Sequence, residues 1–261
     1  MEFFDSHSHY NDEKFNEDRE YIIKETYEEK ITKFICAGYD IESSKKGLEI
    51  ANKYPFIYSI CGISPNDVPN IMEEIEDNVK QIEDMIRNDK TKKIVAVGEI
   101  GLDYYWNKEN KDIQKEIFIK QIKLANNYNL PIVIHTREAV DDTLNILKNE
   151  IEVTNKGVFH CCPLNRELVK EALKLGFYIS FAGPITFKNS KNAEEIVSMV
   201  PLDKILIETD SPYLSPEPKR GKRNDSRNVK LVAQKIAEFK QITLEEVAKT
   251  TYENAIRIFK I

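Results

Sequence analysis

The chain has 261 residues, of which 41% are apolar and 31% are charged. This length matches one α/β barrel, so we expect a single domain over residues 1–261. No apolar run approaches the roughly 18 residues that a membrane helix needs, and the net charge of −6 excludes a general electrostatic attraction to nucleic acid.

The first residues contain no basic stretch followed by an apolar core, so a cytoplasmic protein without a membrane partner is expected. The cysteines show no CxxC spacing, and in a reducing compartment they are expected to be free thiols without a catalytic role. They are Cys36, Cys61, Cys161 and Cys162.

Short apolar runs rich in β-branched and aromatic residues recur along the chain and predict about eight strands. They cover residues 3–7, 31–37, 57–62, 94–100, 132–135, 157–160, 177–181 and 205–208. Most of the runs lack polar alternation, which is typical of parallel strands covered on both faces.

Charged amphipathic segments lie between these runs and predict helices. Residues 111–128 have apolar side chains at helical spacing, and residues 243–259 begin with a capping box formed by Thr243 and Glu246. About eight alternating units of strand and helix predict an α/β fold of the (β/α)8 TIM barrel type, and a doubly wound open sheet is the alternative.

All four histidines lie at the carboxyl ends of predicted strands. His7 and His9 are two residues apart and point the same way from the first strand, while His135 and His160 end the fifth and sixth. The carboxyl ends of barrel strands share one rim, where the active sites of such barrels lie. We therefore expect all four to be metal ligands, although an HxH pair alone is only moderately specific.

Two carboxylates have the same placement. Glu99 ends the fourth predicted strand and Asp210 follows the eighth. Asp210 could instead cap a helix and Glu99 could instead form a salt bridge. With the histidines they provide six ligands, a number suited to two ions, and Glu99 could bridge both. Asp210 is then expected to orient or deprotonate a metal-activated water, so both acids are candidate catalytic residues.

Several basic residues are candidate substrate-binding groups. Arg220, Lys222 and Arg223 lie in a basic loop after the last strand, where TIM barrels commonly bind phosphate, although a solvated loop is the alternative. Arg137 follows His135 by two residues and could clamp a phosphate or pair with an acid.

Tyr104, Tyr105 and Trp106 follow Asp103 in the loop after the fourth strand. Such aromatic residues could stack on a nucleobase, but the sequence favours the interpretation that they pack the loop down.

Five segments, taken together and in order, resemble the TatD-type deoxyribonucleases, which are metal-dependent (β/α)8 hydrolases. They are DSHSHYN at 5–11, GEIGLDYYW at 98–106, PIVIHTREA at 131–139, FHC at 159–161 and ETDSPYL at 208–214. The resemblance extends from one end of the chain to the other.

The mixed nitrogen and oxygen ligands suit Zn²⁺, Mn²⁺ or Fe²⁺ by their softness, so Zn²⁺ could be the ion bound on isolation and Mg²⁺ or Mn²⁺ the working ion. The resemblance implies two divalent ions per chain, with Mg²⁺ or a similar ion supporting activity. It implies this ligand set: His7 and His9 on one ion, His135 and His160 on the other, Glu99 between them, and Asp210 as ligand and base. The implied activity is 3′–5′ removal of nucleotides from DNA ends, with RNA as an alternative partner. A monomer is expected.

One departure concerns the loop after the third strand, where the family commonly has Gly-Ile-His-Pro and this chain has Ser64 in place of the histidine. Ser64 is predicted to contact substrate, but its hydroxyl is shorter than an imidazole. The alternative function is therefore amide, ester or lactone hydrolysis by the same site. A barrel that binds a partner without catalysis is a third hypothesis.

Overall fold

The computed structural model describes residues 1–261 and contains eight β-strands and nine α-helices. The strands are β1 (Phe3–Ser8), β2 (Ile31–Ala37), β3 (Ile57–Cys61), β4 (Ile94–Asp103), β5 (Ile132–Arg137), β6 (Gly157–Phe159), β7 (Tyr178–Phe181) and β8 (Ile205–Ile207). The helices are α1 (Arg19–Glu28), α2 (Ile41–Lys53), α3 (Ile75–Asn88), α4 (Lys111–Asn127), α5 (Val140–Asn145), α6 (Arg166–Lys174), α7 (Ala193–Met199), α8 (Val229–Lys240) and α9 (Leu244–Phe259). None of these helices combines the length and apolar character needed to cross a membrane.

The strands form one sheet in the order β1 to β8, and every neighbouring pair is parallel. Each strand is buried along nearly its whole length, which explains why its sequence shows little polar alternation. The prediction of an α/β TIM barrel is confirmed, and the open doubly wound sheet is excluded by this strand order.

The bounds of β4 and β5 differ from the prediction. Both strands extend past the expected ends, to Asp103 and Arg137, because these additional residues pair with each other. Gly101 permits this pairing, since it has a φ of +137° and a Cβ at this position would lie 2.0 Å from the carbonyl oxygen of His135. The pairing brings the loop after β4 close to the end of β5.

The barrel closes between β8 and β1 through a short set of contacts that we call the seam. Ser8 and Ser211 form an isolated parallel bridge, and the N–H of His9 donates to the carbonyl oxygen of Ser211 at 2.7 Å. The N–H of Asp210 donates to the carbonyl oxygen of His7 at 2.9 Å. Three candidate metal ligands therefore contribute backbone to the closure.

Helix α9 covers the amino end of the barrel. Phe259 packs into a cluster of inward-facing strand residues that includes Phe4, Ile60 and Val133. The predicted capping box begins this helix, with Thr243 and Glu246 each accepting from the backbone N–H of the other. Because one end of the barrel is covered in this way, the opposite end is the one available for a site.

Candidate metal centre

The six predicted ligands lie together at the carboxyl mouth of the barrel, where they form three overlapping groups whose ligand atoms lie within 4.8 Å of one another. The groups are His7, His160 and Asp210; His7, His9 and Glu99; and Glu99, His135 and His160. We call these six residues the metal centre. Side chains from five strands or strand ends reach it because the parallel strands all direct their carboxyl ends to one rim.

Glu99 lies between two pairs of histidines. Its Oε2 atom is 3.4 Å from Nε2 of His7 and 4.0 Å from Nε2 of His9. Its Oε1 atom is 3.0 Å from Nδ1 of His135 and 3.3 Å from Nε2 of His160. Each carboxylate oxygen therefore faces a different histidine pair, which is the arrangement expected of a bridging ligand.

Asp210 belongs to the side of His7 and His9. Its Oδ1 atom lies 3.1 Å from Nε2 of His9 and 3.9 Å from Nε2 of His7. The Asp210 backbone has a φ of +55°, a left-handed conformation that aspartate tolerates better than most residues. Its ligand atom also lies within 4.8 Å of ligand atoms of His7 and His160.

The side chains present fit divalent metal ions. His7 is fully buried, yet neither of its ring nitrogens has a hydrogen-bond partner. Buried polar atoms without partners are rare, and an ion accounts for such an atom when other ligands surround it. The set of imidazole nitrogens and carboxylate oxygens suits Zn²⁺ or Mn²⁺ by its softness, while Mg²⁺ prefers a larger share of oxygen.

The charges within the centre keep the acids ionised. Burial alone would raise the pKa of Glu99. The neighbouring histidines, led by His160, outweigh this effect and leave the pKa well below its usual value. For Asp210, burial is likewise outweighed by the hydrogen bond from His9, so its pKa is also lowered. Both carboxylates are thus in the form that binds cations.

Two buried acids that the sequence did not single out lie beside ring nitrogens of His135 and His160. Asp103 accepts a hydrogen bond from Nε2 of His135 at 2.9 Å, and Oε1 of Glu208 lies 3.3 Å from Nδ1 of His160. Burial raises the pKa of Asp103, but the hydrogen bond from His135 lowers it overall to about 2. Such carboxylates fix the ring orientation and the tautomer of metal-binding histidines. The sequence signal was an acid at the end of an apolar strand, the same signal that identified Glu99.

A cleft of about 820 Å³ opens above the metal centre. Ser64 and Arg137 line it together with Asp67 and Trp106. Five of the six ligands also line it, namely His9, Glu99, His135, His160 and Asp210. Ser64 donates a hydrogen bond to Asp67 at 2.6 Å. The side chain of Arg137 has no acidic partner, so its guanidinium is available to an anion in the cleft.

The basic loop lies apart from the cleft. Arg223 forms a two-pronged ion pair with Asp18, with N···O distances of 2.9 and 2.5 Å, and Arg220 lies 4.2 Å above the ring of Phe187. Neither these residues nor Lys222 line the cleft. A role of this loop in substrate binding stays a prediction, and for Arg223 it would require the pair with Asp18 to open.

The aromatic residues after β4 divide into two kinds. Tyr104 is buried and donates a hydrogen bond to Asp142, as expected of a residue that packs the loop down. Trp106 is 69% exposed and lines the cleft. The loop-packing interpretation therefore describes Tyr104 but not Trp106.

The fold and the site together define a class of protein: a parallel (β/α)8 barrel with a candidate metal centre of histidines and carboxylates at its carboxyl mouth. The family model described as TatD related DNase matches residues 4–260, and the chain belongs to this family, as the sequence motifs predicted.

Similar proteins cover almost the whole chain. It is 44% identical over 258 residues to "Uncharacterized metal-dependent hydrolase YabD" of Bacillus subtilis, with 99% of each chain covered. It is 41% identical over 201 residues to "Uncharacterized metal-dependent hydrolase YcfH" of Escherichia coli, covering 77% of this chain and 73% of the relative. The solved structure of YJJV, a TatD homolog from Escherichia coli, superposes with a TM-score of 0.91 at 25% identity, covering 99% of this chain and 98% of that one.

Proposed function

We propose that this protein is a divalent-metal-dependent hydrolase that cleaves phosphodiester bonds, acting as a 3′–5′ exodeoxyribonuclease on DNA ends. The observation that carries the proposal is the position of Glu99, whose two oxygens face the pair His7 and His9 and the pair His135 and His160. This geometry suits two ions held side by side. The names of the bacterial relatives support metal-dependent hydrolysis. The family description supports the narrower class of nucleases.

The ions and the residues of the cleft would have different roles in hydrolysis. Two bound ions would lower the pKa of a water and screen the charge of a phosphate, with Mg²⁺ or Mn²⁺ as working ions and Zn²⁺ as an ion retained on isolation. Asp210 is ionised and lies at the edge of the centre, so it can orient that water and accept its proton. Arg137, free of an acidic partner, can hold a phosphate oxygen with two N–H groups.

An assay with labelled DNA tests the proposal. Single strands labelled at either end are incubated with the protein and Mg²⁺ or Mn²⁺, and mononucleotides are expected to appear first from the 3′ end. Asp210→Asn should lose at least about a hundredfold in rate, the usual size of a general-base contribution. The matched control is Asp203→Asn, which makes the same chemical change at the opposite end of β8. Undiminished release by Asp210→Asn would refute the assignment of the base.

The charge of the cleft favours one alternative function. Arg137 is the only lysine or arginine that lines it, while Asp67, Glu99 and Asp210 are acidic, and Ser64 is engaged with Asp67. An uncharged amide, ester or lactone would meet less repulsion there than a polyanion. A panel of such substrates assayed beside DNA separates the two functions, because activity on the panel without nucleotide release supports the alternative.

A further inference from the structure

Trp106 occupies an unusual position for the only tryptophan of the chain. It is 69% exposed and lines the cleft that contains Glu99 and His135. Tryptophan is largely buried in most folded proteins, because its large apolar surface favours contact over hydration. An exposed tryptophan ring beside a metal centre therefore presents an apolar surface that a flat ligand could cover.

The backbone of this residue is fixed relative to the metal centre by one carboxylate. Asp103 accepts hydrogen bonds at Oδ1 from the N–H of Tyr105 at 2.9 Å and from the N–H of Trp106 at 3.0 Å. Its other oxygen, Oδ2, accepts from Nε2 of His135 at 2.9 Å. Asp103 thus connects the backbone of the aromatic loop directly to His135, a ligand of the centre.

A cation lies beside the ring. The guanidinium of Arg137 stacks over Tyr105, with its Cζ atom 3.8 Å from the ring centroid, and lies 5.5 Å from the centroid of Trp106. The rings of Tyr105 and Trp106 are perpendicular, with centroids 4.8 Å apart. Stacking holds the guanidinium in place without neutralising it, so an anion-binding group and a flat apolar surface lie next to each other at the cleft.

We propose that Trp106 is a substrate-binding residue, a platform on which the aromatic base of the terminal nucleotide stacks while Arg137 and the metal centre hold its phosphate. This inference rests on the proposed function and deepens it by naming the group that recognises the base. It requires only that the base and the adjoining phosphate occupy the cleft together. Because every base has a flat face, the platform accepts all of them.

The lone tryptophan allows a direct binding test. Protein loaded with Mg²⁺ is titrated with deoxyadenosine monophosphate and, separately, with deoxyribose 5-phosphate, while tryptophan emission is recorded. The nucleotide should quench the emission and bind about tenfold more tightly than the sugar phosphate, the size expected for one stacked base. Equal effects of the two ligands, or no quenching by the nucleotide, would overturn the proposal.

A relocated tryptophan provides the control. In the double variant Trp106→Phe with Tyr21→Trp, the only tryptophan lies on α1, at a position that is exposed and away from the cleft. Nucleotide should then leave the emission unchanged. Quenching in this variant would show that the signal does not arise at the cleft and would count against the platform.

Kinetics separates stacking from a structural role of the ring. Oligonucleotides are compared whose terminal residue carries either adenine or an abasic sugar. The ratio of kcat/KM between the two should be about tenfold in the parent protein, about one in Trp106→Ala, and restored in large part by Trp106→Phe. An unchanged ratio in Trp106→Ala would overturn the proposal, even if the rates on both substrates fell.

The two proposals fail in different ways. If nucleotides quench Trp106 but no DNA is hydrolysed, the proposed function is wrong and the platform stands. If DNA is hydrolysed at equal rates from base-bearing and abasic ends, the platform is wrong and the nuclease stands.

Discussion

His135 presents Nδ1 to the metal centre because Asp103 binds its other ring nitrogen. The same carboxylate accepts the N–H groups of Tyr105 and Trp106 through its second oxygen. An ionised carboxylate accepts on both sides, whereas an amide has one accepting and one donating end. An aspartate at position 103 therefore satisfies both the ring N–H of His135 and the backbone N–H groups of the loop after β4.

The variant Asp103→Asn is expected to bind metal about 10- to 100-fold more weakly, since it must either lose the bond to His135 or place a donor against the loop N–H groups. Calorimetric titration of the metal-free protein with Mn²⁺ or Zn²⁺ measures the change. Asp112→Asn, at an exposed position at the start of α4, is the matched control. Equal affinities in the two variants would contradict the role assigned to Asp103.

At this scale the sequence identifies residues by their place in a strand but not by their partners. Glu99 and the four histidines were found because each ends an apolar run. The ion pair between Arg223 and Asp18 could not be predicted, because the two residues are more than two hundred positions apart in the sequence. The contact between Asp103 and His135 likewise depends on the register of β4 against β5.

The capping box of α9 is a feature of an element that the sequence alone predicted. Thr243→Ala removes the side chain that accepts the N–H of Glu246 and should lower the free energy of unfolding by about 1 kcal/mol. Urea denaturation measures this loss. Because α9 lies at the end of the barrel away from the cleft, hydrolytic activity in the native protein should not change, and a fall in activity without a fall in stability would disagree.

A cluster of charges ties α6 to the turn after α5. Glu171 lies 2.6 Å from the ammonium of Lys148 and 2.5 Å from that of Lys174, and these hydrogen bonds, led by that of Lys148, lower the pKa of Glu171 from about 4.5 to about 2. Because the pKa is lowered, the contacts of the Glu171 carboxylate with the two lysines stabilise the fold above about pH 4.5. This contribution is lost as the pH falls toward about 2.

The variant Glu171→Gln should therefore be less stable than the parent protein at neutral pH, and the difference between their urea midpoints should narrow steadily as the pH is lowered below about 4.5. Denaturation series at several pH values test this. A difference that is constant with pH would show that the carboxylate charge is not the cause.

The strands were predictable because parallel barrel strands are short apolar runs, and all eight expected runs correspond to strands of the sheet. Their ends were less predictable. Leu102 and Thr136 extend β4 and β5 beyond the expected limits because each gains a pairing partner on the other strand. A partner across the sheet leaves no mark in the local sequence, so strand ends depend on the assembled barrel.

For the whole molecule, removal of metal should lower the melting temperature. The centre gathers ionised carboxylates and buried imidazoles, and an ion that binds only the folded state stabilises it by about 2.7 kcal/mol when its free concentration is about a hundredfold above Kd. Melting curves with and without a chelator should differ by several degrees, and restoring Mn²⁺ or Zn²⁺ should reverse the shift. Identical curves would contradict a metal centre that binds ions in the folded protein.

The closure of the barrel and the candidate chemistry use the same few residues. The bond between the backbones of Asp210 and His7 connects the end of the eighth strand to the first, while the side chains of these residues belong to the metal centre. If an ion is bound more weakly, the amide hydrogens of the seam should therefore exchange with solvent faster than in the metal-loaded protein. Asp210→Asn keeps the backbone N–H that donates to His7. Its amide exchange rates along the seam should therefore match those of the parent protein under equal metal loading, and matching rates would assign its loss of activity to the carboxylate.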